Sequence, residues 1–287
     1  MNARSLHFAN SAIQVTADGE LAGHVVRYLF DYIPAAGPAA PHFVYRLAQE
    51  DGAGEPRLAL SGDDPTEPPR SSGLAQTAVY LMDRAGYHLA DQSQGGLMFH
   101  AACVHRGGGA LLLPAPSGSG KSSLALWLVE AGYDYMTDEL AFIPEGTLDV
   151  QGFSRPVYIK RSGLALFPEV LARMGQQQDL IESPGGVLAP PGLLGGGRVV
   201  PMAPLRCMVL PRYTSGAALH LHRLSKARAA LALTRCLINA RNLPDNGFPE
   251  LLRLAQAVPI YELSYGGFDQ LGTTLDDLME APDGPNQ

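Results

Sequence analysis

The sequence predicts an α/β chain: helices flanking a mixed, twisted sheet over residues 96–287, preceded by a smaller α+β domain over residues 1–95. Three observations predict it. The apolar run 110–113 leads through the glycine- and serine-rich stretch 115–123 into an apolar-periodic run, 124–129, which is the order strand, tight turn, helix. A second apolar run, 97–104, is separated from 110–113 by Arg106-Gly107-Gly108-Gly109, the punctuation of a hairpin that feeds that turn. Ahead of both, strand-like and helix-like periods alternate between clusters of Gly, Pro and Asp, as in a small α+β unit.

Taken in order, residues 5–16 carry Leu6, Phe8, Ile13 and Val15 and read as one or two short strands. Leu21, Val25, Val26, Leu29, Phe30 and Ile33 fall at helical spacing, and 42–48 and 57–60 are strands. Residues 61–70, rich in Pro and acids, form a linker, and 74–89 is a helix with Ala78, Val79, Leu81, Met82 and Ala85 along one stripe. After the hairpin, the turn and its helix, one strand runs through 135–143. Short strands at 147–150 and 157–159 and a helix over 164–174 follow. Residues 176–197 hold Pro190-Pro191-Gly192 and Gly195-Gly196-Gly197 without periodicity and read as a loop or lid. Strands at 207–210 and 218–224, helices at 226–240 and 248–257, a strand at 259–263, a helix at 270–280 and a disordered tail complete the chain.

Composition narrows the function classes. Of 287 residues, 46% are hydrophobic, enough for a packed core, and the net charge of −7 gives no electrostatic footprint for nucleic acid or an anionic membrane. The three cysteines, Cys103, Cys207 and Cys236, are widely spaced and lack C-x-x-C or Cys/His metal spacing, so they read as small buried hydrophobes in a reducing compartment. The N-terminus begins a strand pattern rather than a signal-peptide core, and no apolar run approaches bilayer length. The expectation is a soluble, cytoplasmic protein with neither nucleic acid nor membrane as partner.

The stretch Pro116-Ser117-Gly118-Ser119-Gly120-Lys121-Ser122-Ser123 fits the end of the phosphate-loop (Walker A) pattern G-x-x-x-x-G-K-[ST], with Ala115 where the first glycine stands. Phosphate is small, tetrahedral and anionic, so a loop that wraps it must turn backbone N–H groups inward. Gly118 and Gly120 leave room for that. The helix that follows points its positive end at the same place, Lys121 can reach the β- and γ-phosphates, and the Ser122 hydroxyl can bind Mg²⁺. ATP is the expected nucleotide.

A phosphate loop is shared by many activities, so its neighbours decide. Asp138 and Glu139 follow Lys121 by one helix, one turn and one strand. Either can hold Mg²⁺ and the other can accept a proton from an attacking hydroxyl; on a strand they point to opposite faces and divide the work. His100, on the strand before the loop, reads on its own more simply as a satisfied strand histidine than as a phosphate contact.

Together, His100-Ala101-Ala102, the loop, and Ala131-Gly132-Tyr133-Asp134-Tyr135-Met136-Thr137-Asp138-Glu139 resemble the bacterial HPr serine kinase/phosphorylase family, and most of all the related kinases of lasso-peptide and other peptide-modifying gene clusters. The resemblance is strong over about 96–145 and extends to layout elsewhere. It implies a P-loop domain of the HPr kinase/PEP carboxykinase-like type. It further implies Lys121 on the β/γ-phosphates, Ser122 on Mg²⁺, Ser123 on the α-phosphate side, Asp138 as the base toward a substrate serine, Glu139 near Mg²⁺, and His100 by the transferred phosphate.

The chain departs from the family at Ala115 and Glu139 and lacks its Glu-x-Arg-Gly-Leu-Gly signature, so neither the protein HPr as substrate nor the reverse activity is carried over. In the nearest stretch, 152–160, Arg155 and Lys160 read equally as transition-state cations and as strand-edge charges. The function expected is Mg·ATP-dependent transfer of the γ-phosphoryl group to a hydroxyl, foremost a serine of a peptide or small protein. A small-molecule acceptor, an ATPase or regulator without transfer, and a homo-oligomer stay open.

Overall fold

The computed structural model describes residues 2–33, 40–50, 55–64 and 67–280. The chain opens with β1 (Asn2–Phe8), β2 (Ser11–Asp18), α1 (Glu20–Phe30), β3 (Phe43–Glu50), β4 (Arg57–Gly62), β5 (Arg70–Gly73) and α2 (Leu74–Gln92). Next come β6 (Gly96–Arg106), β7 (Gly109–Pro114), α3 (Lys121–Glu130), β8 (Asp134–Thr137), β9 (Leu140–Pro144) and β10 (Asp149–Gly152). The third stretch holds β11 (Val157–Lys160), α4 (Pro168–Met174), β12 (Ile181–Ser183) and β13 (Gly186–Ala189). The last holds β14 (Met202–Tyr213), β15 (His220–Arg223), α5 (Lys226–Thr234), α6 (Phe248–Ala257), β16 (Ile260–Tyr265) and α7 (Thr274–Glu280). The fold is mixed α/β.

Residues up to Ser93 together with Ser154–Leu193 form one compact unit; Gln94–Phe153 and residues from Leu194 onward form another. The segment 154–193, expected with the second domain, therefore packs with the first. In the first unit a five-stranded sheet runs β1-β2-β3-β4-β5, antiparallel except for the parallel pair β2–β3 that α1 connects. Helix α1 buries Ala22, Val25, Val26, Leu29 and Phe30, spaced three and four apart, so one face closes on the sheet. A second sheet, β11-β13-β12, pairs Ile159 with Val187 and Leu188 with Ile181.

That small sheet corrects the reading of 176–197 as a structureless lid, because its apolar residues Ile181, Val187, Leu188 and Ala189 are buried. The helix expected over 164–174 is also divided: a 3₁₀ turn covers Arg161–Leu166, and Pro168 opens α4 from the first helical position, where its missing N–H costs nothing. The tail expected to be disordered lies outside the described residues.

The second unit is built on β6, antiparallel to β7 on one side and to β8 and β9 on the other. Beyond β7 the sheet continues through β14 and β16, both parallel to it, and ends at the antiparallel β15. Strand β10 pairs with β9 and with the start of β14, so β10-β9-β6-β7-β14 close on themselves. Leu97, Phe99, Ala101 and Cys103 of β6 meet Ala229, Ala230 and Leu233 of α5 and Leu251, Leu254 and Ala255 of α6 in one core. Met98, Ala102 and Val104, on the alternate face, are buried too, which is why β6 reads as a continuous apolar run.

Two further expectations change here. The strand expected over 135–143 is broken at Asp138 and Glu139, between β8 and β9. The helix expected to reach 240 stops at Thr234, because the chain beyond it pairs with β6 instead: His100 N donates to Cys236 O at 2.9 Å and Ile238 N to Met98 O at 2.9 Å. Among the described residues no helix is long and apolar enough to cross a membrane. All three cysteines are free and buried, as expected of small hydrophobes.

Candidate phosphate-transfer site

The loop between β7 and α3 turns on two glycines with positive φ, Gly118 at 84° and Gly120 at 90°. L-residues rarely adopt that region, and at Gly120 a side chain has no room either: a Cβ there would lie 2.9 Å from Tyr213 Cβ and 3.0 Å from the Tyr265 hydroxyl. Gly120 caps α3, whose first internal bond runs from Leu124 N to Gly120 O at 2.9 Å. The next N–H groups of a helix have no partner inside it and point out along its axis. Lys121 opens α3 and is buried, at 6% exposure. The loop is held from two sides: Ser119 N donates to Pro116 O at 3.3 Å, and Tyr213 N, at the end of β14, donates to Ser119 O at 3.0 Å.

Strand β6 joins this loop to the acids. His100 O accepts from Ala115 N at 3.4 Å, where the chain leaves β7, and Ala101 N donates to Glu139 O at 3.0 Å. The imidazole of His100 reaches the same neighbour, with Nε2 3.2 Å from Glu139 Oε1. Strands β7 and β8 both run antiparallel to β6, so their C-terminal ends, and the loop and acids that follow, lie at one end of the sheet.

The break at Asp138–Glu139 has a local cause. Thr137 turns its hydroxyl back on the chain, accepting from Glu139 N at 3.2 Å and Leu140 N at 3.3 Å while donating to Phe153 O at 3.0 Å. This side chain replaces ladder bonds and kinks the strand. The simple alternation of faces expected for the two acids is therefore replaced by a bend. Asp138 is buried, at 4% exposure, and accepts from the Tyr135 hydroxyl at 3.2 Å, whereas Glu139 is partly exposed beside His100.

Sequence reasoning passed over Thr137, Tyr135 and Asn239. Asn239 is fully buried and extends the pairing of β6 past the end of β7: Oδ1 accepts from Met98 N at 3.0 Å and Nδ2 donates to Gly96 O at 3.0 Å. It lets β6 run on to His100 without a β-strand partner on that side. Burial pushes the nearby Cys236 thiol above its ordinary range, while the charge of Lys121 pulls the other way. Thr137 had a local signal, a hydroxyl directly before two acids. Asn239 had none.

Arg155 and Lys160 belong to the first unit. Lys160 is exposed at the end of β11, and Arg155 is buried, with its guanidinium 3.2 Å from Asp83 Oδ1.

No protein-family model matches the chain, and no curated protein matches it. Among solved structures, the Hpr(Ser) kinase/phosphatase from Coxiella burnetii is similar over 63% of this chain and 93% of its own, at 13% identity and a TM-score of 0.33. A likeness that faint carries no argument about chemistry. The reading of the site rests on its own geometry.

That geometry suits a polyphosphate. The Ser119 hydroxyl oxygen is buried in the loop without a protein hydrogen-bond partner, a state that costs about 1–3 kcal/mol unless water or a ligand supplies one. Among the described residues no group of three or more His, Cys, Asp or Glu is arranged to hold a metal. Magnesium carried on substrate phosphates needs only one or two protein oxygens, and Ser122 with Asp138 or Glu139 can provide them.

Proposed function

We propose that the chain is a magnesium- and ATP-dependent kinase that transfers the γ-phosphoryl group to a hydroxyl, foremost a serine of a peptide or small protein. The observation that carries this reading is the β6 backbone, which ties the glycine loop at Ala115 and the acid at Glu139 to adjacent residues, His100 and Ala101. A donor site and a candidate base within one sheet end is what phosphoryl transfer needs, since catalysis there is mostly positioning and charge stabilisation.

In this reading the residues divide the work as follows. Backbone N–H groups of Ser117, Gly118 and Gly120 and of the start of α3 cradle the phosphates, with the Ser119 hydroxyl donating to one of their oxygens. Lys121 neutralises charge on the β- and γ-phosphates, and Ser123 supports the α-phosphate side. Magnesium, when bound through Ser122 and one of the acids, would supply further neutralisation of the leaving diphosphate. Asp138 takes the proton of the attacking hydroxyl, the oxygen–phosphorus bond to the acceptor forms, and ADP leaves. Burial beside the Tyr135 hydroxyl holds the Asp138 carboxylate in one orientation. His100, steadied by Glu139, donates toward the transferred phosphoryl group.

The test is transfer of labelled phosphate from γ-labelled ATP, with magnesium, to a panel of serine peptides and small alcohols, including any peptide encoded beside the gene. A mass gain of one phosphate on one of them is the expected result. Slow ATP hydrolysis with no acceptor modified across the panel would overturn it in favour of an ATPase or regulator.

A further inference from the structure

We propose that Tyr213, Tyr265, Phe268 and Trp127 form the nucleobase subsite of this loop, with the base stacking on the exposed ring of Tyr213. The inference rests on the phosphate-binding reading above and adds to it the part of the nucleotide that the loop does not touch.

Tyr213 is built into the loop. Its N–H holds Ser119 O at 3.0 Å, and its Cβ is what a side chain at Gly120 would strike. Strands β14 and β16 run parallel to β7, with Tyr213 opposite Tyr265, so both tyrosines stand at the sheet end from which the loop departs. At such an end, beyond the carboxyl termini of parallel strands, nucleotides bind in open α/β sheets.

From Tyr213 an aromatic row continues along α3. Tyr213 and Tyr265 meet at 5.6 Å between ring centroids and 62°, Tyr265 and Phe268 stack at 6.1 Å, and Phe268 stacks on Trp127 at 5.6 Å and 12°. Trp127 lies four residues after Ser123, on the same face of the helix. The row thus flanks the side of α3 that carries Ser123, next to where the phosphate chain passes into its nucleoside.

The members of the row differ in exposure. Tyr265 is buried, at 1%, and burial pushes its hydroxyl up to about 12, so a neutral O–H rather than a phenolate stands beside the loop. Tyr213 is 47% exposed, and its contact with Tyr265 is edge-on, so ring surface is left uncovered. A base brings an apolar face of matching size, and its covalent tie to phosphates held at Ser119–Ser123 keeps it within reach. That tie makes the base, rather than another chain, the occupant of this surface. Stacking needs only a π-face, so the ligand class is a nucleoside triphosphate.

The experiment compares magnesium-ATP with magnesium-tripolyphosphate, which has the phosphates and no base. Binding is followed calorimetrically and through the fluorescence of Trp127, the single tryptophan of the chain. Wild type should bind ATP roughly tenfold or more tighter than tripolyphosphate, the size one base–aromatic stack carries. Tyr213→Ala should lose about that factor for ATP and none for tripolyphosphate, while Tyr213→Phe keeps it. Retained tripolyphosphate binding also shows that the variant is folded. Equal ATP affinity in wild type and Tyr213→Ala, or equal loss of both ligands in the variant, overturns the subsite. Wild type that binds neither ligand overturns the phosphate loop itself, and the subsite with it.

Discussion

The two units set their titratable side chains in different surroundings. In the first, Arg84 is ion-paired with Glu67 and bonded to His88 Nε2 at 3.2 Å, His88 stacks on Phe43 at 3.8 Å, and Arg155 faces Asp83. The groups of these contacts find their partners within the same unit. In the second, Lys121, His100, Asp138 and Glu139 stand at one sheet end with a loop that turns on two glycines of positive φ and buries the Ser119 hydroxyl without a protein partner. Titratable clusters arise in both units. A glycine loop that opens a helix lies beside the cluster in the second, which is why the second carries the proposed chemistry.

The contrast breaks most directly at Asp138. Asp138→Asn should lower kcat by about 10²–10⁴-fold, the usual share of a general base, with ATP affinity held within a few-fold. Steady-state kinetics with a calorimetric binding curve checks it; a variant that keeps its kcat removes Asp138 from the reaction. Gly120→Ala should come next. It forces a Cβ against Tyr213 at a φ of 90°, and the expected loss is of nucleotide binding, on the order of tenfold or more, read by the same calorimetry.

Thr137→Val keeps the shape but deprives Leu140 N and Phe153 O of their buried partner. About 1–3 kcal/mol of stability should be lost in chemical denaturation, together with a fall in kcat as the acids lose their bend.

The first unit should respond to pH instead. Burial, then the charge of Arg84, hold the His88 imidazole below its ordinary value of 6.5, against the opposing pull of Glu67 and with His42 adding to the lowering. The unfolded chain therefore binds the proton first as pH falls. Stability from His88 is complete above 6.5 and is lost as pH drops through the depressed native value. Protection factors for hydrogen exchange in β3, which carries Phe43 under the ring, corrected for the intrinsic exchange rate at each pH, should fall between pH 7 and pH 5, and less so in His88→Gln. The smallest effect belongs to Arg155→Met. Asp83 is largely exposed, so the Coulombic share of its pair with Arg155 should be within about 1 kcal/mol in a double-mutant cycle with Asp83→Ala, with kcat unchanged. A large fall in kcat would instead make Arg155 a transition-state cation and blur the division between the units.

Local chemistry made much of this legible in the sequence. The hairpin β6–β7 showed itself through apolar runs cut by three glycines, and the loop through Gly118, Gly120 and Lys121 at fixed offsets. Helix α1 showed itself through a stripe at three- and four-residue spacing. What stayed hidden depended on partners far along the chain. Residues 176–197 looked structureless because β12 and β13 are three and four residues long, too short to display a period, and are held by pairing with each other and with β11. The strand 135–143 looked continuous because the apolar pattern does not register a threonine that bonds back to its own backbone.

By itself the sequence determined the strand–loop–helix order, the glycines, lysine and serines of that loop, and an acid pair one strand later, because each is written in neighbouring residues. Only the tertiary structure decided that Asp138 is buried and Glu139 beside His100, that residues 236–239 extend β6 to that histidine, and that Tyr213 closes on Gly120. Those are contacts between residues far apart in the chain, and a sequence carries no local mark of which distant backbone will satisfy its hydrogen bonds.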